Sequence, residues 1–130
     1  MSTTKNILFI DDEKDVTLTI KIILEETGLF HVNIFNDPGL TLKRFKPNFY
    51  ALAIVDIMMP KMGGFELYEH LKKIDPNLKV CFLTASEMYH EENRGIEHCA
   101  LNKDLFLQKP ISTDDLIMEV NRKINSNNNG

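Results

Sequence analysis

The sequence predicts an α/β fold: a three-layer α/β/α sandwich, doubly wound around a parallel sheet of about five strands. Three observations predict it. Short apolar runs without polar alternation recur along the chain, as strands buried on both faces of a parallel sheet require. Each is followed by apolar residues at helical spacing. Strong breakers separate the two kinds of segment: Gly28, Asp37-Pro38, Pro47, Pro60, Gly63-Gly64 and Asp75-Pro76-Asn77. Parallel neighbours need a crossover, which a helix supplies in the right-handed sense.

The elements follow in order. Asn6-Ile7-Leu8-Phe9-Ile10 is the first strand and ends in Asp11-Asp12-Glu13. Val16, Ile20, Ile23 and Leu24 stripe a helix that Gly28 stops. His31-Val32-Asn33-Ile34-Phe35 is short and alternating, hence a strand toward an edge. Asp37 caps a helix with Pro38 in its first turn, and Leu40 and Phe45 are expected on its inner face until Pro47. Residues 51–60, Ala-Leu-Ala-Ile-Val-Asp-Ile-Met-Met-Pro, are the third strand, buried on both faces, and its exit. Gly63-Gly64 reads as a flexible turn into a helix over about 65–73, with Leu67, Tyr68 and Leu71 inward. Leu78-Lys79-Val80-Cys81-Phe82-Leu83 is the fourth strand, running into Thr84-Ala85-Ser86. Residues 87–97 predict a marginal helix with few apolar anchors. Leu105-Phe106-Leu107 is a short fifth strand closed by Lys109-Pro110. Ser112 to Asp115 fits a capping box, and Leu116, Val120 and Ile124 stripe the last helix. One domain over residues 1–124 is expected, with 125–130 a polar tail or the start of a linker.

Composition narrows the function classes. The 130 residues carry a formal net charge of −4 and no basic cluster, which argues against nucleic acid and membrane surfaces as partners. No apolar run reaches the length of a membrane span, and residues 1–5 lack a signal-peptide core, so a cytoplasmic location is expected. Cys81 and Cys99 make no metal-binding spacing with His31, His70, His90 or His98, and Cys81 reads as a small core hydrophobe.

The chemistry lies in what each strand leaves at its carboxyl end, the edge where open α/β sheets bind ligands. The first leaves Asp11 and Asp12, the third Asp56, the fourth Thr84 and the fifth Lys109. Three neighbouring carboxylates repel one another unless a cation sits among them. Hard oxygen donors without His or Cys select Mg²⁺ or a similar ion. A lysine and a hydroxyl beside them suit phosphoryl oxygens, and a carboxylate can itself be the nucleophile.

On these residues the chain resembles the receiver domain of the response-regulator family of two-component signalling, a CheY-like, flavodoxin-like fold. Asp11-Asp12 resembles the family's acidic pair, and Asp56-Ile57-Met58-Met59-Pro60-Lys61-Met62-Gly63-Gly64 its phospho-acceptor signature. Thr84-Ala85 and Lys109-Pro110 resemble its remaining motif positions, and the likeness runs from Ile7 to about Ile124. The resemblance implies that Asp56 accepts a phosphoryl group from a sensor histidine kinase or a phosphotransfer protein. It implies Mg²⁺ held by Asp12, Asp56 and the backbone carbonyl of Met58, with Asp11 acting mostly through a coordinated water. Lys109 would pair with the phosphoryl group, with a cis bond to Pro110. Thr84 and Phe106 would form the switch that reshapes the surface of the fourth helix, fifth strand and fifth helix.

The sequence departs from the family at three places. Phe106 stands where Tyr is common and is expected to lie inward more often; Asn102-Lys103 replaces Gly-Ala; Gly63 replaces a common Asp. Met58 and Ser86 stand at positions that tune phosphate lifetime in the family. Three other functions were weighed. A Mg²⁺-dependent phosphohydrolase with an aspartyl nucleophile needs an acid two residues on, where this chain has Met58. A nucleotide- or flavin-binding module needs a glycine-rich loop, where it has Asp11-Asp12-Glu13. A receiver-like domain that is never phosphorylated would not need the acids and Lys109 together. The expectation is a signalling module, not an enzyme with an external substrate. Its output partner is unknown, and dimerisation on phosphorylation stays open.

Overall fold

The computed structural model describes residues 4–85, 106–109 and 112–125. The expectations for residues 87–97, for Ser86, Asn102-Lys103 and Pro110, and for the side chains of Phe106 and Lys109 lie outside the described residues.

The first strand, β1 (Lys5–Ile10), is followed by α1 (Lys14–Glu26), β2 (Phe30–Phe35), α2 (Pro38–Arg44), β3 (Leu52–Asp56), α3 (Gly64–Ile74), β4 (Val80–Ala85), β5 (Phe106–Lys109) and a C-terminal helix (Thr113–Asn125). The five strands form one sheet in the order β2-β1-β3-β4-β5, every pair parallel. β2 lies at an edge, as its alternation predicts. Residue alternation along each strand sends side chains to two separate cores. On one face Leu8, Ile10, Ala53, Val55 and Phe82 pack against Leu67 and Leu71 of α3 and Phe45 beyond α2. On the other Ile7, Phe9, Leu52, Ile54, Cys81 and Leu83 pack against Ile20 and Leu24 of α1 and Leu116 and Val120 of the C-terminal helix. Burial in that second core pushes the Cys81 thiol up to about 12. Met59 and Met62 fill the first core as packing residues. No helix among the described residues is long and apolar enough to cross a membrane.

Of the two residues expected on the inner face of α2, Phe45 is buried and Leu40 is not; Leu40 is exposed, and the helix buries Pro38 and Thr41. Asp37 does cap the helix, accepting the Leu40 N–H at 2.8 Å, and the Thr41 hydroxyl donates to the Asp37 carbonyl at 2.8 Å. That bond satisfies a buried hydroxyl and sets the phase of the helix. In the Gly63-Gly64 turn neither residue has a positive φ. Gly64 is required by close approach: a Cβ there would run into the Asp56 carbonyl oxygen and lie 2.9 Å from Ile57 Cα.

At the amino-terminal rim, Asp75 is buried and its carboxylate accepts the Asn48 N–H at 2.9 Å and the Asn77 N–H at 3.2 Å. Asn48 has φ 60°, a left-handed conformation that asparagine tolerates. Lys79 donates to the Ile124 carbonyl at 2.7 Å and so caps the C-terminal helix at the same rim. Ser112 caps its other end, accepting the Asp115 N–H at 3.1 Å.

The edge strand is guarded by α1. Glu25 accepts the Val32 N–H at 2.9 Å, and Lys21 donates to the Val32 carbonyl at 2.7 Å and to Glu25 at 3.1 Å. Both backbone groups of Val32 are thereby met by side chains at an edge that would otherwise invite another strand. The Val32 N–H, helped by the Lys21 ammonium, holds the Glu25 carboxyl below its ordinary value of 4.5. A carboxyl depressed in the folded state stabilises above its unfolded value and loses that contribution as pH falls through the folded one. The urea midpoint of wild type should therefore exceed that of Glu25→Gln by a constant margin near neutral pH. The margin should shrink once pH drops below 4.5; a margin independent of pH down to acid unfolding would contradict the clasp.

Candidate phosphorylation site

Parallel strands present their carboxyl ends at one rim, and the breakers after β1 and β3 release the chain there. β1 ends at Ile10, so Asp11 and Asp12 follow directly; Asp56 is the last residue of β3. One carboxylate oxygen from each of Asp11, Asp12 and Asp56 lies within 4.8 Å of the others. Asp11 and Asp56 are buried and Asp12 is exposed, so the cluster has a closed base and an open mouth. Its donors are all carboxylate oxygens, without His or Cys, which suits a hard divalent cation such as Mg²⁺.

The backbone around the acids is tied down. The Asp11 N–H donates to the Phe35 carbonyl at 3.1 Å, continuing the β1–β2 ladder past the strand end. The Glu13 N–H donates to Asp11 Oδ1 at 2.9 Å, an Asx turn that opens α1. The Ile57 N–H donates to the Leu83 carbonyl at 3.1 Å, and the Gly64 N–H to the Ile57 carbonyl at 2.9 Å. Between them Lys61 takes a left-handed φ of 73°, which costs a residue with a Cβ about 1–2 kcal/mol. Strain of this kind gathers at functional loops. Met58 is exposed beside this loop while Met59 turns into the core.

The other residues expected at the site fall where the sheet register puts them. Thr84 is buried near the end of β4. It pairs with Gln108, and Ala85 pairs with Lys109, so the backbone of Lys109 reaches the same rim. Phe106 opens β5 opposite Phe82. Sequence reasoning missed two polar residues. Asn36, after β2, donates through Nδ2 to the Asp11 carbonyl at 2.8 Å and to the Thr17 hydroxyl at 3.1 Å. Thr17 is fully buried on the inner face of α1. The available signal was a hydroxyl interrupting an apolar stripe.

The signature of the response regulator receiver domain family matches residues 7–121. The chain belongs to that family. The response regulator receiver protein CpdR of Brucella abortus (strain 2308) is 31% identical over 127 residues, spanning 92% of this chain and 97% of its own length. The transcriptional regulatory protein DltR of Streptococcus agalactiae is 25% identical over 114 residues, and this receiver domain spans about half of its length. Among solved structures, the non-phosphorylated HemR receiver domain from Leptospira biflexa superimposes with a TM-score of 0.79 at 27% identity, covering 95% of this chain and 97% of that one. The function that follows is that of a receiver domain of two-component response regulators, with an acidic pocket that fits a phosphorylation site.

Because the obstruction at Gly64 is backbone, the Asp56 exit must shift to admit a side chain. Gly64→Ala should lower unfolding stability by about 1–3 kcal/mol, the usual range for overpacking, measured by urea denaturation. A loss below a few tenths would show that the approach is not a constraint.

Proposed function

We propose that Asp56 is the phosphoryl acceptor of this receiver and that its donor is a phosphohistidine on a sensor kinase or a phosphotransfer protein. The observation that carries this is the three-acid cluster within 4.8 Å at the carboxyl rim, in which Asp56 is buried, as Asp11 is, and comes from the central strand. An Asp56 carboxylate oxygen attacks phosphorus, and an acyl-phosphate bond forms as the phosphorus–nitrogen bond breaks. The electron pair stays on the imidazole nitrogen. Water later attacks the same phosphorus, returning the carboxylate and free phosphate. No external metabolite is turned over.

Asp11, Asp12, Asp56 and the backbone carbonyl of Met58 would hold Mg²⁺, which when bound supplies neutralisation of the phosphoryl charge. A divalent cation among the acids lowers their mutual repulsion, so acceptor competence and cation binding rise together. Lys109, at the end of β5 two strands from Asp56, is the amine assigned to a phosphoryl oxygen, and the Thr84 hydroxyl, on β4 between them, the donor beside it. Movement of Thr84 toward the phosphoryl group, coupled to repositioning of Phe106, would favour one of two pre-existing packings of the surface around β5.

Incubation with MgCl₂ and acetyl phosphate, followed by intact-mass measurement, should give a labile phosphate adduct. The adduct should fall to background in Asp56→Asn and in wild type with excess EDTA. An adduct of undiminished yield in Asp56→Asn would place the nucleophile elsewhere.

A further inference from the structure

We infer that Asn36 and Thr17 are positioning residues for divalent-cation capture at the acidic rim, an inference that rests on the reading of Asp11, Asp12 and Asp56 given above. Asn36 stands just past the end of the edge strand β2. Its amide nitrogen is fully committed: one Nδ2 proton goes to the Asp11 carbonyl at 2.8 Å and the other to Thr17 Oγ1 at 3.1 Å. The Thr17 hydroxyl donates its own proton to the Lys14 carbonyl at 3.0 Å, so toward Asn36 it acts as acceptor. A flipped amide would set oxygen against the Asp11 carbonyl, so the orientation of the side chain is dictated by its partners.

The consequence falls on the acids. The Asp11 N–H is held by the Phe35 carbonyl and the Asp11 C=O by Asn36, so the end of β2 grips both backbone groups of one residue. That carbonyl belongs to the peptide joining Asp11 to Asp12. Fixing its plane fixes the direction in which the chain leaves β1 and the point from which the Asp12 carboxylate projects. Asp12 is exposed, and the backbone beneath it decides how often its carboxylate meets those of Asp11 and Asp56. Thr17 makes the arrangement specific. Its position on the buried face of α1 calls for an apolar residue, and a hydroxyl there is tolerable because Asn36 and Lys14 satisfy it. Strand, helix and acid pair are locked by a single carboxamide.

The test follows backbone amide shifts through a MgCl₂ titration, with the unfolding midpoint in EDTA read alongside. Asn36→Ala should raise the half-saturating Mg²⁺ concentration about tenfold, as loss of a partner to a metal-ligating residue does. Thr17→Val keeps the volume but removes the hydroxyl and should raise it about threefold. Thr17→Ser should return the wild-type value. Wild-type half-saturation in Asn36→Ala, with only a lowered unfolding midpoint, would reduce the role to stability and overturn the inference. If Asn36→Ala does not fold, the Thr17 pair decides, and equal constants for Val and Ser overturn it. A wild-type protein without Mg²⁺-dependent shifts would sink the reading of the rim and this inference with it. Failure of the positioning role alone leaves the wild-type titration intact.

Discussion

Like charges held together at one rim of the sheet are the condition the rest of the structure has to meet. Three carboxylates within 4.8 Å repel one another, and only Asp12 among them is exposed to solvent. The fold keeps them there by geometry that does not depend on them. Parallel pairing across β1, β3 and β4 puts the strand ends side by side, and two apolar cores on either face make that pairing costly to undo. The repulsion is therefore stored as readiness for a cation and a phosphoryl group.

The backbone next to the acids is correspondingly rigid. Gly64 lets α3 begin against the Asp56 carbonyl, Lys61 accepts a left-handed turn, and the Asp11 peptide is gripped from the end of β2. Each is a local sacrifice or specialisation that makes sense beside a site and would be unexplained elsewhere.

Much of this was readable from the residues. The strands declared themselves because unbroken apolar runs ended in acids or breakers, and β2 because it alternated. The acid cluster needed only the premise that parallel strands share an edge. What could not be read depended on contacts across the chain. On α2 the buried Phe45 is legible and the exposed Leu40 is not, because a helix of two turns offers too few apolar positions to define a face, and Leu40 looks more core-like than Thr41. The need for Gly64 is hidden because the atom that forbids a side chain there is the carbonyl of Asp56, eight positions back. Asp75 read only as a helix breaker, since its partners Asn48 and Asn77 lie on separate loops. Asn36 and Thr17 carry no motif; their meaning arises only when β2 and α1 meet.

The Asp75 clip and the Lys79 cap sit at the rim opposite the acids. Fastening of the scaffold and chemistry are thus divided between two ends of the same strands, with the full length of the sheet between them. Such a division lets the acidic end drift in sequence, trading one lifetime or donor preference for another, while the far end goes on anchoring the architecture. A module built this way is well suited to diversification.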